Sequence, residues 1–259
     1  MYDFICEIKE HNEITSDYRV LKLYAGEIAE QARPGQFVHI RIPGLESASL
    51  RRPFSIFNAQ DGLLWILYKS VGRGTERMKS LVMGDELQVI GPLGNGFPLR
   101  QNVMPLLAAG GYGVAPLYFL ATRLANRGTL VVGGRSAEDI LVTDLFRDLG
   151  WKVVVATVDG SLGVKGLVTE PLLDELENNT AAGAVCELFA CGPDGMLRAV
   201  GELARSHDCK AWLSLDKHLV CGVGACLACV QKLRRSDGST WMGRVCSDGP
   251  IFEANEIVW

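Results

Sequence analysis

No run of basic residues longer than a pair occurs in this sequence. Arg51-Arg52 and Arg234-Arg235 stand isolated, and the formal net charge is −4. A polybasic patch is therefore missing, and with it the electrostatic footprint expected of a nucleic-acid binder. The opening "MYDFICEIKE" lacks the basic stretch and apolar stretch of a secretory signal, so none is expected and a cytoplasmic location is. Internal repeats and low-complexity tracts are also lacking. Without a secretory signal, the eight cysteines do not read as a disulfide framework; in a reducing compartment, clustered thiols bind metal or do redox work. Residues 103–122, "VMPLLAAGGYGVAPLYFLAT", carry no charge and are long enough to span a bilayer. Their three glycines and two prolines instead predict a buried strand, a loop and a helix start, with no membrane span.

What is present is ample core material, 48% hydrophobic residues over 259 positions, in three compositional zones. Residues 1–100 hold six short apolar or alternating runs: "FICEIKE", "YRVLKLYA", "QFVHIRI", "FSIFNA", "LLWILYKS" and "ELQVIGPL". Turn residues separate them, which predicts a small antiparallel β-barrel. Residues 101–213 alternate apolar strands with helices, predicting an α/β domain on a parallel sheet. Its helices are expected at "APLYFLATRLANRG", ending on Gly128, at "AEDILVTDLFRDLG", at "TEPLLDELENN" with Thr169 as N-cap, and at "DGMLRAVGELARSH". Residues 214–259 are short, rich in cysteine and glycine, and too few for a core of their own, so a staple or metal is expected.

The tail supplies the sharpest chemistry. Cys221, Cys226, Cys229 and Cys246 follow the pattern C-x4-C-x2-C-x16-C. The first three match the plant-type spacing for a [2Fe-2S] cluster, and Gly222 and Gly224 allow the backbone to wrap closely. "VQKLRR" and "TWMGRV" flank "SDGS", whose Asp-Gly predicts a hairpin that returns Cys246 to Cys229. Four thiolates also suit structural zinc, although only one C-x2-C pair exists here. A zinc-stapled binding protein is thus the rival of another class. Cys6, Cys186 and Cys209 read as small buried hydrophobes.

Four further stretches point to phosphate and nucleotide. "RRPFS" holds an arginine suited to a pyrophosphate, and "YKSVGRGTERM" holds a glycine-flanked turn opening a helix, with free N–H groups for a phosphate. Taken singly, these could be a strand with a solvated arginine and an ordinary helix-capping turn. "AAGGYGVAP" joins a strand to a helix but is not G-x-G-x-x-G, because Pro116 fills the last position. "ACGPDGM" follows a later strand, and Cys191 in it could equally be a buried strand-end thiol.

"RPFS", "GRGT" and "GPLGNGF" together resemble the FAD domain of the ferredoxin–NADP reductase superfamily. The resemblance implies that Arg52 holds the FAD pyrophosphate, that Ser55 bonds near flavin N5, and that Phe54 lies along the ring where many relatives have Tyr. Pro53 and Lys69 flank that site, and Gly72, Gly74 and Thr75 complete the phosphate cradle. It also implies that Gly111 and Gly113 line the dinucleotide site and that Cys191, Gly192 and Pro193 border the nicotinamide, with Cys191 closest to the chemistry. Asp159 is expected to meet ribose hydroxyls and Lys165 to supply charge, and the lack of a basic cluster there leans toward NAD over NADP.

The order of flavin barrel, nicotinamide domain and C-terminal cluster resembles the electron-transfer subunits of class 1B dihydroorotate dehydrogenases. "DGSLGVKG", "CGVGACLACV" and "RVCSDGPIF" carry that resemblance further. It implies a partner, an FMN-containing catalytic subunit that oxidises dihydroorotate to orotate in pyrimidine biosynthesis, in a heterotetramer of two copies of each chain. Electrons would pass through the cluster and FAD to NAD. Subunits of sulfhydrogenases and of ferredoxin-linked NADP oxidoreductases share the layout and remain the alternative.

Overall fold

The computed structural model describes residues 3–45 and 50–259. Strands β1 (Asp3–Glu13), β2 (Tyr18–Tyr24), β3 (Phe37–Arg41), β4 (Arg52–Ser55), β5 (Asn58–Gln60), β6 (Leu63–Lys69) and β7 (Glu86–Leu93) form one sheet in the order β4-β3-β7-β1-β2-β6-β5. Every pairing in it is antiparallel. Apolar residues turned to one face, among them Ile8, Leu21, Leu23, Val38, Ile40 and Val89, are fully buried and make its core. The expected single strand "FSIFNA" is two strands. At Ile56 and Phe57 the chain changes partner: the Ile56 N–H bonds the Gln36 carbonyl, and the Phe57 N–H bonds the Trp65 carbonyl. The two edge strands of the sheet, β4 and β5, are thus joined by two residues. Helices α1 (Gly26–Gln31) and α2 (Arg73–Met78) complete this part.

The second sheet comprises β8 (Met104–Gly110), β9 (Thr129–Gly134), β10 (Lys152–Thr157), β11 (Val164–Lys165), β12 (Cys186–Cys191), β13 (Lys210–Ser214) and β16 (Ile251–Glu253), in the order β11-β10-β9-β8-β12-β13-β16. All pairs are parallel except β13 with β16. Alternate residues of β8 feed two cores. Leu106 and Ala108 pack with α5 (Thr169–Ala181) and α6 (Asp194–Ser206), whereas Leu107 and Ala109 pack with α3 (Val114–Arg123). Helices on both faces explain why these strands are apolar throughout. The chain order reverses at β8, which lies between β9 and β12. A crevice opens there beyond the strand ends, the usual ligand position in such sheets.

Several helix bounds differ from the sequence expectation for identifiable reasons. Helix α3 stops at Arg123, with Leu124 extended. Gly128 is not its cap; a Cβ there would lie 1.9 Å from the Pro105 carbonyl oxygen, so this glycine permits a close chain crossing. "AEDILVTDLFRDLG" is a 3-10 turn at Ala137–Asp139 and a separate helix α4 (Thr143–Asp148), divided by Val142 at φ 50. Asp139 holds the turn by accepting the Arg135 N–H at 3.1 Å. Thr169 is the first helical residue of α5, and Val168 is the N-cap.

The tail forms the hairpin β14 (Val230–Arg234) and β15 (Thr240–Arg244), and then lends β16 to the edge of the parallel sheet. "GPLGNGF" holds it to the first sheet. The Asn95 N–H bonds the Gly249 carbonyl at 2.6 Å, and Asn95 Nδ2 bonds the Asp248 carbonyl at 3.0 Å. A Cβ on Gly94 would come within 2.7 Å of the Gly249 carbonyl oxygen, so glycine is required where the two segments meet. No helix among the described residues is long and apolar enough to cross a membrane. Residues 103–122 supply β8, a 3-10 turn and most of α3.

Candidate functional site

A cavity of about 840 Å³ lies between the two sheets. Its first wall comes from β4 and β6. Arg52, Pro53, Phe54, Ser55, Lys69 and Thr75 line it, as do Phe37 and Tyr18. Phe54 stands edge-on to Tyr68, ring centroids 6.1 Å apart, because β4 and β6 approach across the fold of the sheet. Arg52 packs its guanidinium over Gly74, where a Cβ would lie 3.1 Å from Nε, and donates to the Leu50 carbonyl. Gly72 and Gly74 stand outside the lining, at the cap and first turn of α2. The expected free N–H groups there are partly taken: Thr75 Oγ1 accepts from Val71 N–H at 2.9 Å and from Gly72 N–H at 3.2 Å.

The opposite wall comes from the ends of β8, β9, β12 and β13. Gly111, Gly113, Cys191, Gly192 and Pro193 line it. The two loops touch through backbone. A Cβ on Gly113 would sit 2.2 Å from the Cys191 carbonyl oxygen, and one on Gly110 would sit 2.7 Å from the Pro193 ring. The Cys191 thiol is buried, and that burial, with Asp216 adding to it, pushes its pKa up to about 12. At neutral pH it is an uncharged thiol. Asp159 lies outside the lining. It is exposed, and its carboxylate accepts from the Ser161 N–H at 2.9 Å and Oγ–H at 2.6 Å, which lowers its pKa. Lys165 packs beside it against Gly160.

The sequence points to Lys69 but not to its partners Tyr18 and Asp139, nor to several other lining residues, because they come from unrelated elements. Lys69 on β6 sits 4.7 Å above the Tyr18 ring and 3.6 Å from Asp139, while Tyr18 donates its hydroxyl to Asp139 at 3.2 Å. This trio joins the first sheet to the second across the cavity. Hydrogen bonding to Tyr18, then the charges around it, raises the Lys69 pKa and keeps it a cation. Tyr112, Arg135, Asp216, Leu219 and Pro250 also face the cavity. Tyr112 lies within "AAGGYGVAP" and Pro250 within "RVCSDGPIF", whereas no motif in the sequence marks Arg135, Asp216 or Leu219.

Leu219 connects the cavity to the cysteines, since Cys221 follows two residues later. Cys221 and Cys226 share one loop, where Cys221 Sγ accepts N–H groups from Val223 at 3.5 Å and Cys226 at 3.4 Å. Cys229 and Cys246 meet at the base of the hairpin, with the Cys246 N–H on Cys229 Sγ at 3.5 Å. The Gly224 N–H, 3.2 Å from Cys246 Sγ, ties one pair to the other. Burial pushes Cys221 up, but the N–H groups of Val223 and Cys226 outweigh it and draw the thiol down to about 6. Burial, then hydrogen bonding to Cys229, pushes Cys246 up to about 11. Among the described residues no three Cys, His, Asp or Glu side chains converge as a finished metal site. The thiols stand instead as two linked pairs. Their chemistry suits an iron–sulfur cluster: an all-sulfur set, with amide N–H groups already turned to three of the four sulfurs. Gly222 and Gly224, at φ 70 and 81, make the turns between them.

Residues 216–258 match the model of the iron-sulfur cluster binding domain of dihydroorotate dehydrogenase B. Over 97% of its length the chain is 37% identical to the "Dihydroorotate dehydrogenase B (NAD(+)), electron transfer subunit" of Fusobacterium nucleatum, 97% of which is covered. It is 36% identical to the protein of the same name from Shouchella clausii, over 97% of this chain and 96% of that one. Among solved structures, one of the NADH-dependent reduced ferredoxin-NADP oxidoreductase contains a similar chain, with TM-score 0.84 and 31% identity over 98% of this chain and 90% of the other. The cytochrome b5 reductase domain of Ulva prolifera nitrate reductase shares the fold at TM-score 0.63 and 18% identity, over 85% of this chain and 96% of that domain.

Proposed function

Because the chain belongs to the family of dihydroorotate dehydrogenase B electron-transfer subunits, we propose that it delivers electrons from dihydroorotate to NAD, the oxidation itself taking place on a separate FMN-containing subunit. The observation that carries this reading is the shared wall at Leu219: the cavity ends where the cysteine loop begins. When bound, FAD interconverts a hydride pair and single electrons, and a [2Fe-2S] cluster relays single electrons.

Each role falls to named residues. Arg52 is the pyrophosphate anchor and Ser55 the donor or acceptor near the flavin nitrogen. Pro53 and Phe54 form the apolar side, while Thr75, with Gly72 and Gly74 behind it, shapes the phosphate end. Lys69, held by Tyr18 and Asp139, keeps a positive charge against the dinucleotides. Gly111, Gly113, Gly192 and Pro193 leave room for the nicotinamide, and the neutral Cys191 packs beside it without giving or taking a proton. Asp159 stands toward the adenosine end. Cys221, Cys226, Cys229 and Cys246 hold the cluster.

The architecture is read in three parts. Residues 1–100 close into a barrel through the consecutive edge strands β4 and β5, residues 101–213 form the NAD domain, and residues 214–259 form the cluster domain that docks the partner. A cytoplasmic location and a heterotetramer of two copies of each chain complete the reading.

The likeness to the ferredoxin-NADP oxidoreductase chain favours a second reading, in which the same cofactors serve a ferredoxin-linked complex. Co-expression with the FMN-containing subunit decides between them. Dihydroorotate-dependent reduction of NAD by the purified pair supports the proposal. A pair that reduces a dye with dihydroorotate but never NAD rejects it.

A further inference from the structure

His39 is fully buried in the middle of β3, at 1% exposure, and its Nε2 has no hydrogen-bond partner among the described residues. A buried donor left unmade costs about 1–3 kcal/mol, so such an orphan asks for a missing partner. Its surroundings indicate where that partner belongs. A Cβ built on Gly222 would come to 2.7 Å from Cε1, 2.8 Å from Nδ1 and 2.9 Å from Nε2, so both ring nitrogens lie against the backbone of the residue that follows Cys221. On its other side His39 meets the flavin wall. Its ring stands edge-on to Phe37, centroids 5.7 Å apart, and Phe37 lines the cavity. Pro53 of "RPFS" is its cross-strand partner. His39 is therefore a single side chain inserted between the cavity wall and the cysteine loop. The ring is neutral: burial first, then the charge of Arg51, pulls its pKa down to about 4. A neutral imidazole has one N–H to donate, and an anionic sulfur nearby favours the tautomer that places it there.

We propose that His39 is a positioning residue for the cluster: its buried Nε2–H donates a hydrogen bond to a sulfur of the bound iron–sulfur centre and thereby raises the potential at which that centre accepts an electron. Hydrogen bonds to cluster sulfurs are one of the protein's means of setting potential, because they stabilise the more negative, reduced form. The inference rests on the cluster assignment made above.

The test uses the holoprotein labelled with imidazole-15N histidine. Pulsed EPR of the reduced cluster reads coupling to a labelled ring nitrogen, and an EPR redox titration reads the midpoint potential. The expected result is a coupling in the wild type that disappears in His39→Phe and persists in His218→Phe, whose histidine is exposed three residues before Cys221. The midpoint potential falls in His39→Phe and returns part of the way in His39→Gln, which restores an N–H donor. An EPR-active wild-type cluster without any labelled-nitrogen coupling overturns the inference, and needs no variant to fold. So does a coupling that survives in His39→Phe. A protein that binds no iron fails the cluster assignment instead.

Discussion

The backbone of Gly113 rests directly on Cys191: a side chain at Gly113 would begin 2.2 Å from the Cys191 carbonyl oxygen and 3.0 Å from the Gly192 nitrogen. Two strand-end loops from distant parts of the sequence meet here with no side chain between them. Gly113→Ala must push them apart, and backbone cannot swing aside as a flexible side chain can. We expect about 1–3 kcal/mol of destabilisation and at least a tenfold rise in KM for NADH. A methyl group on Gly111 would meet nothing within 4 Å among the described residues, but the residue sits at φ 53, so Gly111→Ala meets backbone strain alone, about 1–2 kcal/mol. Thermal unfolding with NADH kinetics checks the pair, and equal KM values in both variants would contradict the packing argument.

Cys191 is kept as a thiol by burial, with ionisation pushed up to about 12. Thiolate appears only as pH rises toward that value. In holoprotein at pH 8, iodoacetamide should leave Cys191 unmodified, as read by peptide mass spectrometry. Cys191→Ala should cost less than tenfold in NADH oxidation and leave the pH profile unchanged. Rapid alkylation at Cys191 would show a thiolate where none is expected.

Arg52 lines the cavity with a guanidinium supported by Gly74 and the Leu50 carbonyl. A charge-assisted bond to a phosphate contributes roughly 1.5–3 kcal/mol. Arg52→Ala should therefore weaken FAD binding by roughly tenfold to a hundredfold, measured by flavin release on dilution. Full flavin content after gel filtration at micromolar protein would contradict the assignment.

Asp248 braces the cysteine loop. It accepts Arg244 Nε and Nη2, each at 3.0 Å, and Arg244 in turn reaches the Gly224 carbonyl at 3.3 Å. Hydrogen bonding from Arg244 lowers the Asp248 pKa. A depressed carboxylate contributes stability above its unfolded pKa, near 3.8, and loses it as pH falls through the lower folded value. Asp248→Asn should lower Tm by a few degrees at pH 7 and speed cluster loss. The gap to wild type should close as pH drops below the carboxylate range. A gap that is constant with pH would mean that the ion pair is not its source.

Much of the architecture was legible in the chain because period and punctuation are local. Apolar runs between turn residues marked the strands of the first sheet, with β4 and β5 as one run, and β8, β9, β10 and β12 of the second, though not β11, β13 or β16, and Asp237-Gly238 marked the hairpin that brings Cys246 to Cys229. Spacing alone also picked out the four cysteines. The misread bounds share a cause, since tertiary contact overrode local pattern. Gly128 looks like a helix stop but serves a crossing at Pro105, and Ile56–Phe57 looks like mid-strand but is where the chain exchanges partners. The same holds at the site. Tyr18, Lys69 and Asp139 lie far apart in sequence and become a unit only when two sheets close on one cavity. His39 sits in an ordinary apolar strand, and nothing nearby in sequence marks its contact with Gly222, in the last of the three zones.

The most direct test of the central claim is Cys226→Ser in complex with the FMN-containing subunit, assayed for two reactions in one preparation. The variant should show no EPR-detectable cluster, lose dihydroorotate-dependent NAD reduction, and keep NADH oxidation by bound FAD within a few-fold of wild type. Retention of full dihydroorotate-to-NAD turnover without the cluster would contradict a route through it.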